Sequence, residues 1–343
     1  MDAQELLKRY AAGDRNFSGV NLMGVNLERA QLPEINLQGA SLGAANLRRA
    51  QLDRANLSGA SLFRADLGMA KLESANLEQA DLTKAKLVGA YLAKANLRQA
   101  KLSGASLSHV SFWQANLENV NLCGANLQGI NFRAVNLSNA NLSWANLTGA
   151  RLSGATLIGV NFNGIKLSEA YMNGVNLSGV DLEGVDLSHA KLNGANLINA
   201  NLAVANLSYS HIRTAHLERI NLRAANLEGA DLTNVGLADA NLEKANLRAS
   251  TLYKADLMGA NLNKADLSAA NLNQASLRNA YLWGANLATS TVVGTNFSGA
   301  NLRGAREQGV QWRQAILERT TLPDGQMVGG TLVNNAGERL IVQ

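Results

Sequence analysis

From Phe17 to Leu302 every fifth residue is apolar, without one insertion or deletion across 58 consecutive positions. Nearly all are Leu; the rest are five Phe, Met172, Ile212 and Val292. Two residues before each stands a small or β-branched residue, almost always Ala and otherwise Val or Ile. Between Val20 and Ala305 the exceptions are Ser210, Ser250, Ser290 and Thr295. We call the Leu position i and the Ala position i−2. A period of five cannot make an amphipathic α-helix, because each step leaves about 140° of net rotation and the Leu residues would spiral round the cylinder. It cannot make a plain strand either, since an odd step turns the side chain to the opposite face.

The spacing inside the phrase resolves the conflict. Positions i−2 and i point to one side of an extended segment, and i+1 and i+2 form a corner that resets the parity. Gly, Ser, Asn, Lys and Glu fill the corners, and Asn or Asp dominates i−1, where a short polar side chain bonds to backbone at a turn. A chain that turns the same way every five residues winds into a solenoid with stacked Leu and Ala inside and parallel pairing between coils.

The phrase Ala45-Asn46-Leu47-Arg48-Arg49 resembles the A(N/D)LXX motif of the pentapeptide-repeat family, and the likeness covers residues 16–305. It implies an all-β solenoid, a right-handed quadrilateral β-helix with four repeats per coil and about 14–15 coils, roughly 70 Å long at ~4.8 Å per coil. Spacing alone does not give the number four; Phe112 and Phe132, 20 residues apart, agree with it. Residues 7–17, LKRYAAGDRNF, are similar to the opening of cyanobacterial members, including a regulator of heterocyst differentiation.

Three segments are expected: a capping helix over 1–15, the β-helix over 16–305, and degenerate repeats with an irregular C-terminal cap or hairpin over 306–343. The unbroken register asks for no domain boundary. Asp2 is placed as an N-cap with Glu5 three residues on, and Gly13 is placed to end the helix. Such a lid shields an apolar coil end that would otherwise associate end to end. Glu307 and Trp312 occupy core positions, so the coil cannot continue unchanged; Leu317 and Leu322 keep register and Pro323-Asp324-Gly325 reads as a turn. Thr331–Val333 and Glu338–Val342 could pair as a hairpin, either as a cap or as a dimerisation element, so the chain is expected to be a monomer or an end-to-end homodimer.

Cys123 is the only cysteine, at an i+1 position expected to be exposed, so no intrachain disulfide forms. No apolar run approaches 18 residues, and the first twelve carry Asp2, Glu5, Lys8 and Arg9. A cytoplasmic protein without membrane contact is expected.

Function must come from outward positions. Sorting them by four gives net charges of −2 on the face of Phe17 and Leu37, +3 on that of Leu22 and Leu42, zero on that of Leu27 and Leu47, and +4 on that of Leu32 and Leu52. The last face is the most distinctive. From Tyr91 it presents Tyr91, Lys94, Trp113, Arg133, Arg151, Tyr171, Lys191, Arg213, Tyr253 and Lys254, with Asp231 as its only acid. Aromatics interleaved with Lys and Arg suit an acidic partner. The expected function is a rigid, non-enzymatic scaffold that binds a regulatory protein partner on an outer face. The alternative is nucleic-acid or acidic-partner binding through the same basic aromatic face. A third reading is the family's DNA-mimic inhibition of DNA gyrase, which needs an acidic rod; this chain has net charge +5 and pI ≈ 9.4.

No cofactor, metal site or catalytic group is expected. His109 and His189 share a face four coils apart, about 19 Å, and His211 and His216 stand at i−1 of adjacent faces. Between Val120 and Ser210 the chain is charge-poor and richer in Val and Ile at i−2, as at Val175, Val180 and Val185.

Overall fold

The structure, a computed structural model, describes residues 1–329. Its contacts divide the chain into two compact units, Met1–Tyr171 and Met172–Gln343. The division falls inside the charge-poor, Val-rich stretch. Each unit is a four-sided β-helix, a right-handed quadrilateral coil. Parallel bridges join residues 20 apart, beginning with Asn16↔Asn36; the ladder of the first unit runs to Arg151↔Tyr171 and that of the second starts at Asn176↔Asn196.

One repeat shows why the phrase has five letters. Asn36 N–H donates to the carbonyl of Arg15 (2.8 Å), Leu37 to Asn56 (2.7 Å), Gly39 to Ser58 (2.9 Å), and Ala40 back to Leu37 across the corner (3.0 Å). Only the N–H of Gln38, at i+1, lacks a backbone acceptor, and Oδ1 of Asn36 takes it at 3.1 Å. The Asn or Asp at i−1 is therefore the acceptor that completes the backbone account of each corner. At some corners where i−1 is not Asn or Asp, a neighbouring coil supplies the acceptor: Asn193 Oδ1 accepts from Arg213 N–H at 3.0 Å, and Asp53 Oδ1 from Glu73 N–H at 3.0 Å.

The corner has a second requirement. Its i+2 residue sits in the left-handed region throughout, as at Gly39 (φ 64°), Arg49 (φ 57°) and Val204 (φ 52°). With the i to i+3 hydrogen bond this is a type II turn, which favours Gly or Asn at that position.

The core is the column of i residues and the i−2 column beside it, nearly all with no exposed surface. Each fully buried Leu contributes about 1.5–3 kcal/mol. Phe112 and Phe132 stack with ring centroids 5.6 Å apart, one coil apart on the same side.

In the first unit the end is closed by α1, Ala3–Ala11. Asp2 Oδ1 accepts from Glu5 N–H at 2.8 Å as the N-cap. Leu6 is fully buried, and Tyr10 Oη donates to the Pro33 carbonyl at 2.7 Å, which fastens α1 over the first coil. In the second unit the ladder continues past Ala305 on three sides, through Arg306, Ile316 and Thr321. The fourth side gives way to a 3-10 turn, Trp312–Gln314. Glu307 is exposed and lines a hollow at the coil end with Trp312, Leu317 and Leu322, and Trp312 packs edge-on to Phe297 at 5.3 Å. After Pro323-Asp324-Gly325 the chain reverses and Met327 pairs antiparallel with Thr321. The expected hairpin of 331–342 lies outside the described residues.

Candidate functional site

Six of the ten expected residues belong to the first unit and four to the second. In the first, Tyr91, Ser111, Asn131, Arg151 and Tyr171 succeed one another on a single side, each bridged to the next. The corner after Leu92 places Lys94 at φ 58°, and Lys94 N–H donates to the carbonyl of Trp113 one coil on (2.8 Å). Their side chains meet, with Nζ 5.5 Å from the indole centroid and 3.4 Å from Oε1 of Glu73. Such exposed contacts contribute about 0.5–1 kcal/mol each. Trp113 is 50% exposed and Tyr91 41%. Arg133 takes the same corner position one coil further, and no carboxylate among the described residues lies within 4.0 Å of it. Arg151 and Tyr171 form a separate pair, guanidinium to ring 5.9 Å.

The second unit holds Lys191, Arg213, Tyr253 and Lys254, and one of its three cations is answered by a carboxylate. Arg213 Nε donates to Asp231 Oδ2 at 2.5 Å. Partial burial pushes the Asp231 carboxyl up, but hydrogen bonds from Thr233 and Arg213 outweigh it and hold the group below its usual range. His211, on the same side, is held below the ordinary imidazole value, first by burial and then by Lys191 and Arg213, with Asp231 opposing. Tyr253 Oη donates to Gln274 Oε1 at 3.2 Å, and Lys254 Nζ lies 5.1 Å over the Tyr253 ring.

Face sums over the sequence missed two arrangements. Lys264 Nζ lies 4.7 Å over Trp283, beside the exposed Tyr281, on the side of Leu262 and Leu282 in the second unit. Basic residues also gather around the side of Leu47, Leu67 and Leu87 in the first unit, on a face whose total charge is zero. Residues 20 apart become neighbours, so clustering within a face is visible only coil by coil.

Among the described residues no group of three or more His, Cys, Asp and Glu could hold a metal ion. His189 is stacked on Tyr209 (5.4 Å, 13°), and His216 Nδ1 stands 3.5 Å from Glu218 Oε1. Cys123 is half-buried, not fully exposed as its corner position implied. Cavities of about 350–370 Å³ are open surface hollows, one lined by Gln38, Gly59 and Glu78 and another by His109, Thr148 and Glu169. Among the described residues no helix is long and apolar enough to cross a membrane.

A family model described as pentapeptide repeats matches the chain in overlapping segments from residue 30 to residue 332. Among solved structures the chain is similar to HetL, a pentapeptide repeat protein involved in heterocyst differentiation regulation from the cyanobacterium Nostoc sp. strain PCC 7120. That alignment has 29% identity, covers 96% of this chain and 100% of the other, and has a TM-score of 0.22. It is similar to Rfr23 from the cyanobacterium Cyanothece 51142 at 27% identity over 50% of this chain and 100% of the other, TM-score 0.18. A third similarity is to QnrB1, a plasmid-mediated fluoroquinolone resistance protein, at 18% identity over 53% of this chain and 82% of the other, TM-score 0.40. No curated protein matches the sequence.

Proposed function

The chain belongs to the pentapeptide-repeat family, and from that premise we propose that it is a non-enzymatic scaffold docking a regulatory protein partner on the basic, aromatic side of its first unit. The observation that carries this is the run Tyr91, Lys94, Trp113, Arg133. Over three successive coils it offers two half-exposed aromatic rings, a cation resting on one of them, and a guanidinium without a carboxylate partner. Trp, Tyr and Arg are enriched among the residues that carry binding energy at protein interfaces, and the aromatic rings cover area at little entropic cost. Parallel bridges Tyr91↔Ser111 and Ser111↔Asn131 join the coils beneath them, so the side chains are presented in a fixed order. Arg151 and Tyr171 extend the surface within the same unit. In the second unit the Arg213–Asp231 pair leaves less free charge, so Lys191, Tyr253 and Lys254 are secondary contacts in this reading.

The test is affinity capture from a lysate of the source organism, with wild-type protein and a Trp113→Ala/Arg133→Glu variant that retains the wild-type circular dichroism spectrum. The wild type should retain one partner that the variant loses at least tenfold. A partner held equally by both would remove this surface from consideration.

A further inference from the structure

We propose that the side of the first unit built on Leu47, Leu67 and Leu87 is a second docking surface, for an acidic protein segment that also carries an apolar side chain. This surface is separate from the one proposed above. Its cations stand on three successive coils: Arg48 and Arg49 on one corner, Arg64 and Lys84 on the opposite corner, and Lys86 on the wall between them. All five are exposed, and none has a carboxylate within 4.0 Å among the described residues. Nearby acids are few. Glu28 is spent on Arg29 (3.8 Å) and Asn46, and Asp66 Oδ1 is occupied by Gly68 N–H at 2.9 Å. Successive coils are ~4.8 Å apart, so the five cations share a patch about 10 Å tall.

Exposed apolar side chains interleave with the charges: Phe63 (39%), Met69 (51%) and Val88 (43%). Two of them rest against neighbours. The Arg64 guanidinium covers the Phe63 ring at 5.2 Å, and Met69 is laid along Gly89, where a Cβ would stand 3.5 Å from its Cγ. One face of the only ring is taken by the Arg64 guanidinium, which makes a poor platform for successive bases, and three separate apolar groups among five cations make a poor membrane anchor. The Asp66 carboxyl in the middle of the wall opposes a continuous run of phosphates. An extended segment with alternating carboxylates and an aliphatic residue meets both features, with its acids on the flanking corners and its apolar group on the Met69–Val88 shelf. Unanswered basic groups of this kind also steer an acidic partner and make its association salt-dependent.

The experiment uses the full chain and a fluorescein-labelled twelve-residue peptide of repeated Glu-Glu-Leu, read by anisotropy, with a Gln-Gln-Leu peptide as the uncharged counterpart. The acidic peptide should bind saturably, the uncharged one at least tenfold more weakly, and added salt should weaken the complex. Arg48→Glu/Arg64→Glu should lower affinity at least tenfold, and Arg48→Gln/Arg64→Gln severalfold, while Trp113→Ala/Arg133→Glu leaves it unchanged. That last variant separates this surface from the first. Equal binding of both peptides, or full binding by the charge-reversed variant, would overturn the proposal. So would phosphatidylserine vesicles or a duplex oligonucleotide that bind through Arg48 and Arg64 where the peptide does not.

Discussion

The indole of Trp144 lies where a side chain at Gly164 would have to stand: an ideal Cβ on Gly164 would come 2.4 Å from Cε3 of Trp144. The two occupy the same corner position one coil apart, and long corner side chains lean the same way elsewhere. Tyr209 covers Gly229 (2.6 Å), and Lys84 and Lys264 reach toward Gly104 and Gly284 (both 3.7 Å). Gly164→Ala therefore meets two penalties, strain at φ 62° and displacement of the indole. Trp144 is 71% exposed and can swing away, which limits the second. We expect a loss of about 1–2 kcal/mol and a red-shifted emission from Trp144, identified by subtracting a Trp144→Phe background. Gly59→Ala is the control: φ is 63° but nothing lies within 4 Å, so only the strain should appear.

Val204 carries the opposite lesson. It holds φ 52° with a branched Cβ, a conformation that crowds its own backbone, and it is 53% exposed, so little burial compensates. Replacing it by Gly or Asn should raise stability by about 1 kcal/mol, read as a higher urea midpoint. An unchanged or lower midpoint would mean that the Val204 side chain contributes more than its exposure indicates.

The ladders, the buried Leu and Ala columns, the polar corners and the N-terminal lid were all legible from the phrase, because each follows from parity and burial. The number of sides was not; it came with the family resemblance, and Phe112 over Phe132 could only agree with it. Left-handed corners were hidden as well, since Trp144, Val204 and Lys94 occupy a position that Gly would advertise. Charge was harder still. The Arg213–Asp231 contact joins residues 18 apart across neighbouring coils, so a face sum counts both charges but does not show that they are spent on each other. At Gly236, the missing i−1 side chain is replaced by Glu218 from the previous coil, whose Oε1 would lie 2.3 Å from a Cβ built there. No local pattern announces that exchange.

Ser290 stands in the small-residue column with its Oγ buried and unpartnered. Ser250 occupies the equivalent place on the same side two coils earlier, but its Oγ donates to the Leu247 carbonyl at 2.7 Å. An orphaned buried hydroxyl carries its desolvation cost with nothing returned, and Ala is the residue that normally fills this column. Ser290→Ala should stabilise by about 1 kcal/mol. Ser250→Ala should be neutral or cost up to about 1 kcal/mol, because the Leu247 carbonyl keeps the Ser250 N–H at 3.1 Å. Urea midpoints of the two variants should therefore move apart, and movement together would contradict the assignment.

The position of His211 predicts how stability depends on pH. Burial, then the neighbouring Lys191 and Arg213, hold its imidazole below the ordinary value of 6.5, with Asp231 only partly opposing them. The folded state therefore binds fewer protons at this site than the unfolded chain does. Its contribution is complete above pH 6.5, declines as the unfolded imidazole takes up its proton, and is gone once the pH passes below the folded value. His211→Gln, which removes the titrating group and keeps a polar side chain, should flatten part of the loss of melting temperature between about pH 7 and pH 5. Asp231→Asn should steepen that loss, because it removes the one neighbour that favours the protonated imidazole. Melting curves of the three proteins across that range decide the matter: parallel pH profiles for wild type and His211→Gln would show that this imidazole is not shifted in the folded protein.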